Sequence, residues 1–509
     1  MDRISQLPQP ILHHILSFLS QKESVQTCSL SKTWRYLGST RPKFDYNGSD
    51  FGGNTETFRS VLGNTLQRYH DQKLSIQDFR LETCDDDSLL FPLLELWMPI
   101  LITHHMGLKK LTLCFLSPSL TYFDLPLIIF QVKSLQSLNL EGCNLGQIGS
   151  VDNIQCRNLQ TLYLKWVYIT EEILDKIMSN CPLIEYLSLQ SCEGFHTITF
   201  VNKNHILEDF PSSNFEGKGH CIEIGNVRTL EIIQMWGSPN RYNHRNMLFP
   251  NLKSLLLDHV LLSSELVGRF SSIFPCLEEL SLIHCFGFRK FELSSRSIKR
   301  LLILEDMQKW VLGAIDVMTI HAPNLVEFEY ACDVIPNISF TKTQKEWKSD
   351  ISICSAYDGP LWFHKLIELL EAVSGSEISL HVWKRCMGNI DDENEHIDDQ
   401  YSLDRVVVEH LKFSIDRSEY ASSFLNFMDN LFRVCCPREI HSSYAANADA
   451  KWDRAKELSK VTEFLCKILQ MDRLEDQEMR WWQQDLEEVS FEVFDDVEYR
   501  SNETTAYRT

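Results

Sequence analysis

The sequence predicts an α/β chain in which a short helical unit is followed by a curved solenoid of stacked repeats, with a parallel sheet on its concave face. Three observations carry this. In the stretch 158–192, Leu159, Leu162 and Leu164 form an L-x-x-L-x-L phrase that Ile184, Leu187 and Leu189 repeat 25 residues later. Between the two, Ile173, Leu174, Ile177 and Met178 are spaced as one apolar face of a helix. The phrase recurs along the chain, with starts at Ile76, Leu108, Leu135, Leu159, Ile184, Val227, Leu252, Leu277, Ile298 and Leu325.

A strand, a turn and a helix that recur every 20–29 residues or so are the signature of a leucine-rich repeat. The widest interval, between Ile184 and Val227, holds a polar insertion at 201–219 that reads as a surface loop. One such unit cannot bury its own apolar face, so its neighbours stack on it. Strands in a sheet lie about 4.8 Å apart, whereas packed helices need roughly 8–10 Å, so the array curves with the strands inside. Connections that pass over the sheet and return make it parallel throughout.

Within each phrase the fourth and sixth positions point into the core, while the third, fifth and seventh point onto the concave face. The early repeats present polar residues there, among them Arg80, Lys110, Asn139, Tyr163 and Tyr186. The later ones present Leu256, Ile283, Leu302 and Leu304, with Glu279, Glu327 and Glu329 around them. Outward leucines need a cover. These seven residues are the candidate target-binding set, and the competing expectation is that the chain's own C-terminal region or the 201–219 loop folds over them.

Ahead of the repeats, Ile11, Leu12, Ile15, Leu16 and Leu19 mark one helix, with Pro8 and Pro10 where a helix start tolerates proline. Ser20 with Glu23 suits a capping box for a second helix carrying Val25 and Cys28. Residues 29–37 supply a third segment with Trp34. Three short helices bury little surface, so leftover apolar surface on them suggests a permanent partner.

Residues 1–45 closely resemble an F-box, through Leu7-Pro8, Ile15-Leu16 and Ser31-Lys32-Thr33-Trp34-Arg35 in the family's order and spacing. The departure is mild: Cys28-Ser29-Leu30 stands where the family often has a plain Val. The resemblance implies docking on the Skp-type adaptor of a cullin ubiquitin ligase. Carried over by position, Leu7, Pro8, Ile15, Leu16, Leu19, Val25, Leu30 and Trp34 are the contact or supporting residues. Ser179-Asn-Cys-Pro182 and Ile273-Phe-Pro-Cys276, each just before a strand, and the order of the two parts resemble the plant F-box proteins with leucine-rich repeats. That resemblance implies the substrate-recognition subunit of a Skp–cullin–F-box (SCF-type) ligase, whose repeats hold a target protein for ubiquitination. It leaves open an adaptor-bound scaffold that causes no degradation, and a small-molecule sensor, against which the acidic late repeats argue.

Residues 46–75 read as a linker and N-terminal cap, 76–335 as the repeats, and 336–509 as divergent repeats and a C-terminal cap. In the last part, 361–373 is a strong helical stretch ended near Gly375, 378–382 alternates like a strand, and 388–400 is an acidic loop. Val408, Leu411 and Phe413 restate the phrase, as do Leu486, Val489 and Phe491; 424–436 and 452–469 read as helices, the first stopped by Pro437.

The formal net charge of −21 argues against a nucleic-acid partner, since phosphate binding needs clustered Lys and Arg. The 16 cysteines form no C-x-x-C and no zinc spacing, and Cys143, Cys181, Cys192, Cys276 and Cys285 beside the phrases read as buried free thiols of a reducing compartment. The start lacks a signal peptide's apolar region, and the most apolar run, 89–102, is too short to span a membrane. A soluble protein of the cytoplasm and/or nucleus is expected. There is no G-x-S-x-G, no phosphate-binding glycine loop and no H-E-x-x-H. His13-His14 and His104-His105 are adjacent pairs that point about 100° apart on a helix and do not share a metal. No catalytic residue, metal or cofactor is expected.

Overall fold

A computed structural model describes residues 4, 7–19, 21–52, 54–83, 90–103, 107–115, 122–145, 154–195, 198–201, 220–224, 226–233, 248–262, 264–305, 315–332, 334–341, 346–355, 360–384, 405–415, 427 and 430–444. The expected acidic loop at 388–400, nearly all of the 201–219 insertion, the 452–469 helix and the phrase at Leu486 lie outside the described residues. By internal contacts the chain forms two units, Met1–Ser281 and Leu282–Thr509.

The first unit opens with α1 (Gln9–Ser17), α2 (Gln21–Thr27) and α3 (Lys32–Ser39). Pro8 stands at the N-cap of α1, where its missing N–H costs nothing. The Ser31 hydroxyl accepts from the Trp34 N–H at 3.2 Å and starts α3. Leu12, Leu16, Trp34 and Leu37 form the small core of this unit, with Ile15 and Leu19 packed against it.

Lys43–Asn47 is a strand paired in parallel with Asp78–Thr83, and the stretch read as a linker and N-terminal cap carries α4 (Thr55–Asp71), capped by the Asn54 side chain. The reason for the strand is apolar alternation in an aromatic rather than a leucine spelling: Phe44 and Tyr46 are buried, and the Phe44 ring stacks on Phe79 at 4.8 Å. Arg41, almost fully buried, ties the helices to this strand. Its guanidinium donates to the Leu19 carbonyl at 2.5 Å, and its own carbonyl accepts from the Tyr69 hydroxyl at 2.7 Å. Burial pushes the Tyr69 phenol up to about 12, so it remains a donor.

From there the strands Asp78–Thr83, Lys110–Phe115, Ser137–Glu141, Thr161–Lys165, Tyr186–Gln190, Thr229–Ile233 and Ser254–Asp258 pair in chain order, all parallel. The register is that of the phrase: Leu138 lies opposite Leu162, which lies opposite Leu187. First, fourth and sixth positions are buried throughout, as the period requires. The apolar spacing at 173–178 forms α6 (Glu171–Asn180), and α5 (Leu90–Thr103) precedes the Lys110 strand. Side chains just before the phrase bond back to the preceding repeat: Ser134 to the Leu108 carbonyl, Asn158 to that of Lys133, and Asn226 to that of Pro182. Each fills a carbonyl that the sheet ladder leaves over.

At the eighth position the chain leaves the sheet through the left-handed region: Gly142, Trp166, Ser191 and His259 all have φ between 47° and 71°.

In the second unit, Arg300–Leu304, Glu327–Cys332, Lys348–Ser355, Glu377–Lys384, Val406–Ile415 and Cys435–Tyr444 again pair in parallel and in chain order. The parallel sheet thus continues well beyond residue 335. A second, three-stranded parallel sheet of Lys290–Ser294, Val317–His321 and Asn337–Phe340 uses segments that alternate with the main strands in the chain. The helix expected at 424–436 gives way at Cys435 to a strand. Pro437 does not break it, because this strand is the last of the sheet among the described residues and one of its sides donates to no neighbour.

Candidate adaptor face and target-binding surface

Helix α1 is apolar on more than one side. Leu12 and Leu16 turn inward, while Ile11 and Phe18, at helical spacing from each other, remain exposed, Phe18 at 75%. Val25 and Leu30 beyond it are 59% and 66% exposed, and Leu7, Pro8 and Tyr36 are exposed too. Of the eight residues carried over by position, Leu7, Pro8, Val25 and Leu30 are thus exposed. Ile15 and Leu19 are half-buried, and Leu16 and Trp34 are core. Ile11, Phe18 and Tyr36, outside that set, are exposed as well. The signal for the first two was there: the apolar residues of 11–19 are too many for one 100° stripe.

Residues 4–45 match the family model of the F-box domain, and residues 94–215 match one described as "FBD-associated F-box protein At5g56370, LRR repeats". The chain carries an F-box followed by leucine-rich repeats. It is similar to plant proteins of that make-up. Over 199 residues it is 32% identical to F-box/LRR-repeat protein At3g59200 of Arabidopsis thaliana, covering 37% of each chain. Over 190 residues it is 30% identical to putative F-box/FBD/LRR-repeat protein At5g44950 of the same plant, covering 37% of this chain and 42% of that one. With F-box/FBD/LRR-repeat protein At5g56420, also from Arabidopsis thaliana, identity is 26% over 247 residues, 46% of this chain and 56% of the relative. The chain thus spans between 37% and 56% of the length of these relatives.

The repeats behind the F-box line up their outward side chains in rows. In the first unit, Asn139, Tyr163, Ser188, Glu231 and Leu256 occupy one register row. The rows are stitched across strands: the Tyr163 hydroxyl donates to Gln190 Oε1 at 3.1 Å, the Tyr186 hydroxyl to Glu231 Oε2 at 2.6 Å, and Lys165 pairs with Glu141 at 2.9 Å. In the candidate target set, Leu256 is half-buried, and Glu279 is half-buried and accepts from the Ser254 hydroxyl at 3.3 Å.

Ile283 requires a correction. It is 2% exposed and offers nothing to a partner. Other seventh positions, Glu141 and Asp258, are nearly as enclosed. The seventh positions Lys165, Gln190 and Leu304 are half-buried, whereas the fifth-position Ser188 is fully buried, so alternation alone does not decide which outward side chains stay open.

In the second unit Leu302 and Leu304 are half-buried, and Glu327 and Glu329 are exposed. Leu302, Glu329 and Asp350 form one row, with Arg300, Glu327 and Lys348 beside it. The Glu329 and Asp350 carboxyls are both raised, first by desolvation against the sheet and then by neighbouring carboxylates, with Lys412 and His410 partly opposing this at Asp350. A raised carboxyl binds its proton more tightly in the folded than in the unfolded chain. Its favourable contribution is complete below the ordinary aspartate value of 3.8 and is lost as pH rises through the raised folded value. Asp350→Asn is therefore expected to stabilise the protein at pH 7, with the gain vanishing below about pH 4. Urea unfolding across that range checks it; an equal difference at both ends contradicts a raised Asp350 carboxyl.

Among the described residues no group of three or more His, Cys, Asp or Glu could hold a metal, and no helix is long and apolar enough to cross a membrane. Cys143, Cys181 and Cys192 are buried free thiols, and burial pushes Cys181 and Cys192 up to about 12. Cys276, expected to be buried, is exposed, and Cys285 is half-buried.

Proposed function

We propose that this chain is a non-catalytic substrate-recognition subunit of a Skp–cullin–F-box ubiquitin ligase, working in the cytoplasm and/or nucleus. The F-box docks on a Skp-type adaptor, and through it a cullin, while the outward rows of the repeats hold a target protein. The observation that carries the reading is the exposure of five large apolar side chains, Ile11, Phe18, Val25, Leu30 and Tyr36, around the small core of Leu12, Leu16, Trp34 and Leu37. That many exposed apolar side chains on three short helices suit a partner that covers them. Catalysis by such a subunit is positional: it raises the effective concentration of target lysines near a conjugating enzyme held by its partners.

Titrating purified full-length chain with a purified Skp-type adaptor tests it. Roughly micromolar or tighter one-to-one binding is expected; no heat and no complex at tens of micromolar would sink the reading. On the repeats, Leu302→Asp replaces a half-buried side chain in the row that the exposed Glu329 and Asp350 continue. It should reduce target capture at least about tenfold while adaptor affinity stays unchanged. If the variant loses its cooperative unfolding instead, Leu302 belongs to the core and not to a binding surface.

A further inference from the structure

The eighth position of successive repeats leaves the sheet through the left-handed region, and Trp166 stands there between Gly142 and Ser191. The three are neighbours: Gly142 N–H donates to the Trp166 carbonyl at 3.1 Å, and Trp166 N–H to the Gln190 carbonyl at 2.9 Å. The turn itself belongs to the fold, since glycine, serine and histidine all occupy it. A bulky residue at φ 47° is the costly choice. Burial does not account for it, because Trp166 is 43% exposed. With small neighbours on both sides, the indole projects from the rim. An exposed aromatic ring held on a disfavoured backbone points to use rather than folding.

Two residues on, Tyr168 is also exposed and is held at its backbone by bridges to Asn144 and Glu193. Its ring lies over Gly194, so close that a Cβ there would come within 3.3 Å of it. Both rings are thus pre-positioned, which lowers the entropy cost of binding on them.

Lys165, Glu141, Glu193 and Asp124 are the charged neighbours of these residues in sequence, register or hydrogen bonding. Lys165 Nζ lies 4.4 Å from the Trp166 ring centroid, but the same ammonium pairs with Glu141 at 2.9 Å. Glu193 lies next to Tyr168 in register, and Asp124 accepts from Asn144 at 2.8 Å. With Lys165 paired to Glu141, the carboxylate next to Tyr168 is that of Glu193, in the row that Asn144 and Asp124 continue. A carboxylate beside an exposed ring favours a cation: a guanidinium can lie on the phenol ring and pair with the acid at its edge.

We propose that Trp166 and Tyr168 anchor a docking surface for a cationic segment of a target protein, one that offers Arg or Lys beside an apolar side chain. This rests on reading the repeats as a target-binding surface. It places part of that surface in the first unit.

The test uses full-length chain and two labelled 12-residue peptides followed by fluorescence anisotropy near physiological salt, one alternating Arg with Leu and one with Glu in place of Arg. The Arg peptide is expected to bind at least about tenfold tighter than the Glu peptide. Trp166→Ser gives this position the residue that its neighbour Ser191 already holds in the same conformation, so the fold is kept. It should weaken the Arg peptide about tenfold, as should Trp166→Gly, while Leu302→Asp leaves it unchanged. Equal binding of the two peptides, wild-type binding by both Trp166 variants, or a signal that tracks self-association of the chain would each overturn the proposal. Adaptor titration separates the two readings. Lost peptide selectivity with intact adaptor binding removes this surface alone, whereas absent adaptor binding with intact selectivity removes the ligase reading and leaves the surface.

Discussion

The double substitution Val25→Asp, Leu30→Asp is expected to weaken adaptor binding by at least about a hundredfold. Burying each apolar side chain at an interface contributes on the order of 1.5–3 kcal/mol, and a carboxylate in its place adds a desolvation cost. Both residues lie in solvent in the free chain, at 59% and 66% exposure, so neither substitution disturbs the core of Leu12, Leu16, Trp34 and Leu37. The thermal midpoint and helical circular dichroism should therefore match wild type while the calorimetric titration goes flat. A variant that binds normally would mean that the adaptor docks elsewhere; one that unfolds would mean that α2 packs more tightly than its exposure indicates.

Gly142→Ala is expected to lower stability by about 3 kcal/mol. Gly142 has φ 71°, where an L-residue costs on the order of 1–2 kcal/mol. In addition, an added Cβ collides with the Phe115 carbonyl oxygen of the adjacent repeat and lies 3.1 Å from its carbonyl carbon. The obstacle is backbone and cannot rotate away, and forced overpacking of this kind costs roughly 1–3 kcal/mol. Urea unfolding measures it. Trp166→Gly, one repeat on at the same position, should have no such cost, because it relieves strain instead of creating it. A loss at 166 as large as that at 142 would contradict the view that the eighth position is set by backbone geometry.

Much of this architecture was legible in the sequence for one reason: the fourth and sixth positions are buried in every repeat, so selection for packing writes Leu and Ile there at period two. Where packing uses other residues, the reading failed. The Lys43–Asn47 strand spells its core as Phe44 and Tyr46, and Lys348–Ser355 spells it as Ile351 and Ile353 without the leading leucine. Pro437 looked like a helix stop because nothing local says that its strand lies at a sheet edge.

The candidate surfaces divide in the same way. The F-box motif marks core and exposed residues alike, so the buried Trp34 and Leu16 stand in the candidate adaptor set while the exposed Phe18 does not. Period-two arithmetic treated Ile283 and Leu302 as equivalent. Ile283 is 2% exposed and Leu302 half-buried, a difference in how far the surrounding chain covers them that alternation does not encode. Trp166 was passed over for that reason too: it lies outside the phrase, and only its φ and its exposure set it apart.

Proximity labelling in cells with the proteasome blocked, comparing wild type with the Val25→Asp, Leu30→Asp chain, bears most directly on a receptor that joins a target to a ligase. The point variant is preferable to removing residues 1–45, because Arg41 and part of the Lys43–Asn47 strand would go with that deletion. The expected result is that adaptor and cullin are labelled by wild type alone, that a common set of proteins is labelled by both, and that at least one member of that set carries ubiquitin only with wild type. Adaptor and cullin labelled equally by both chains, or a common set whose ubiquitination never depends on the F-box, would contradict it.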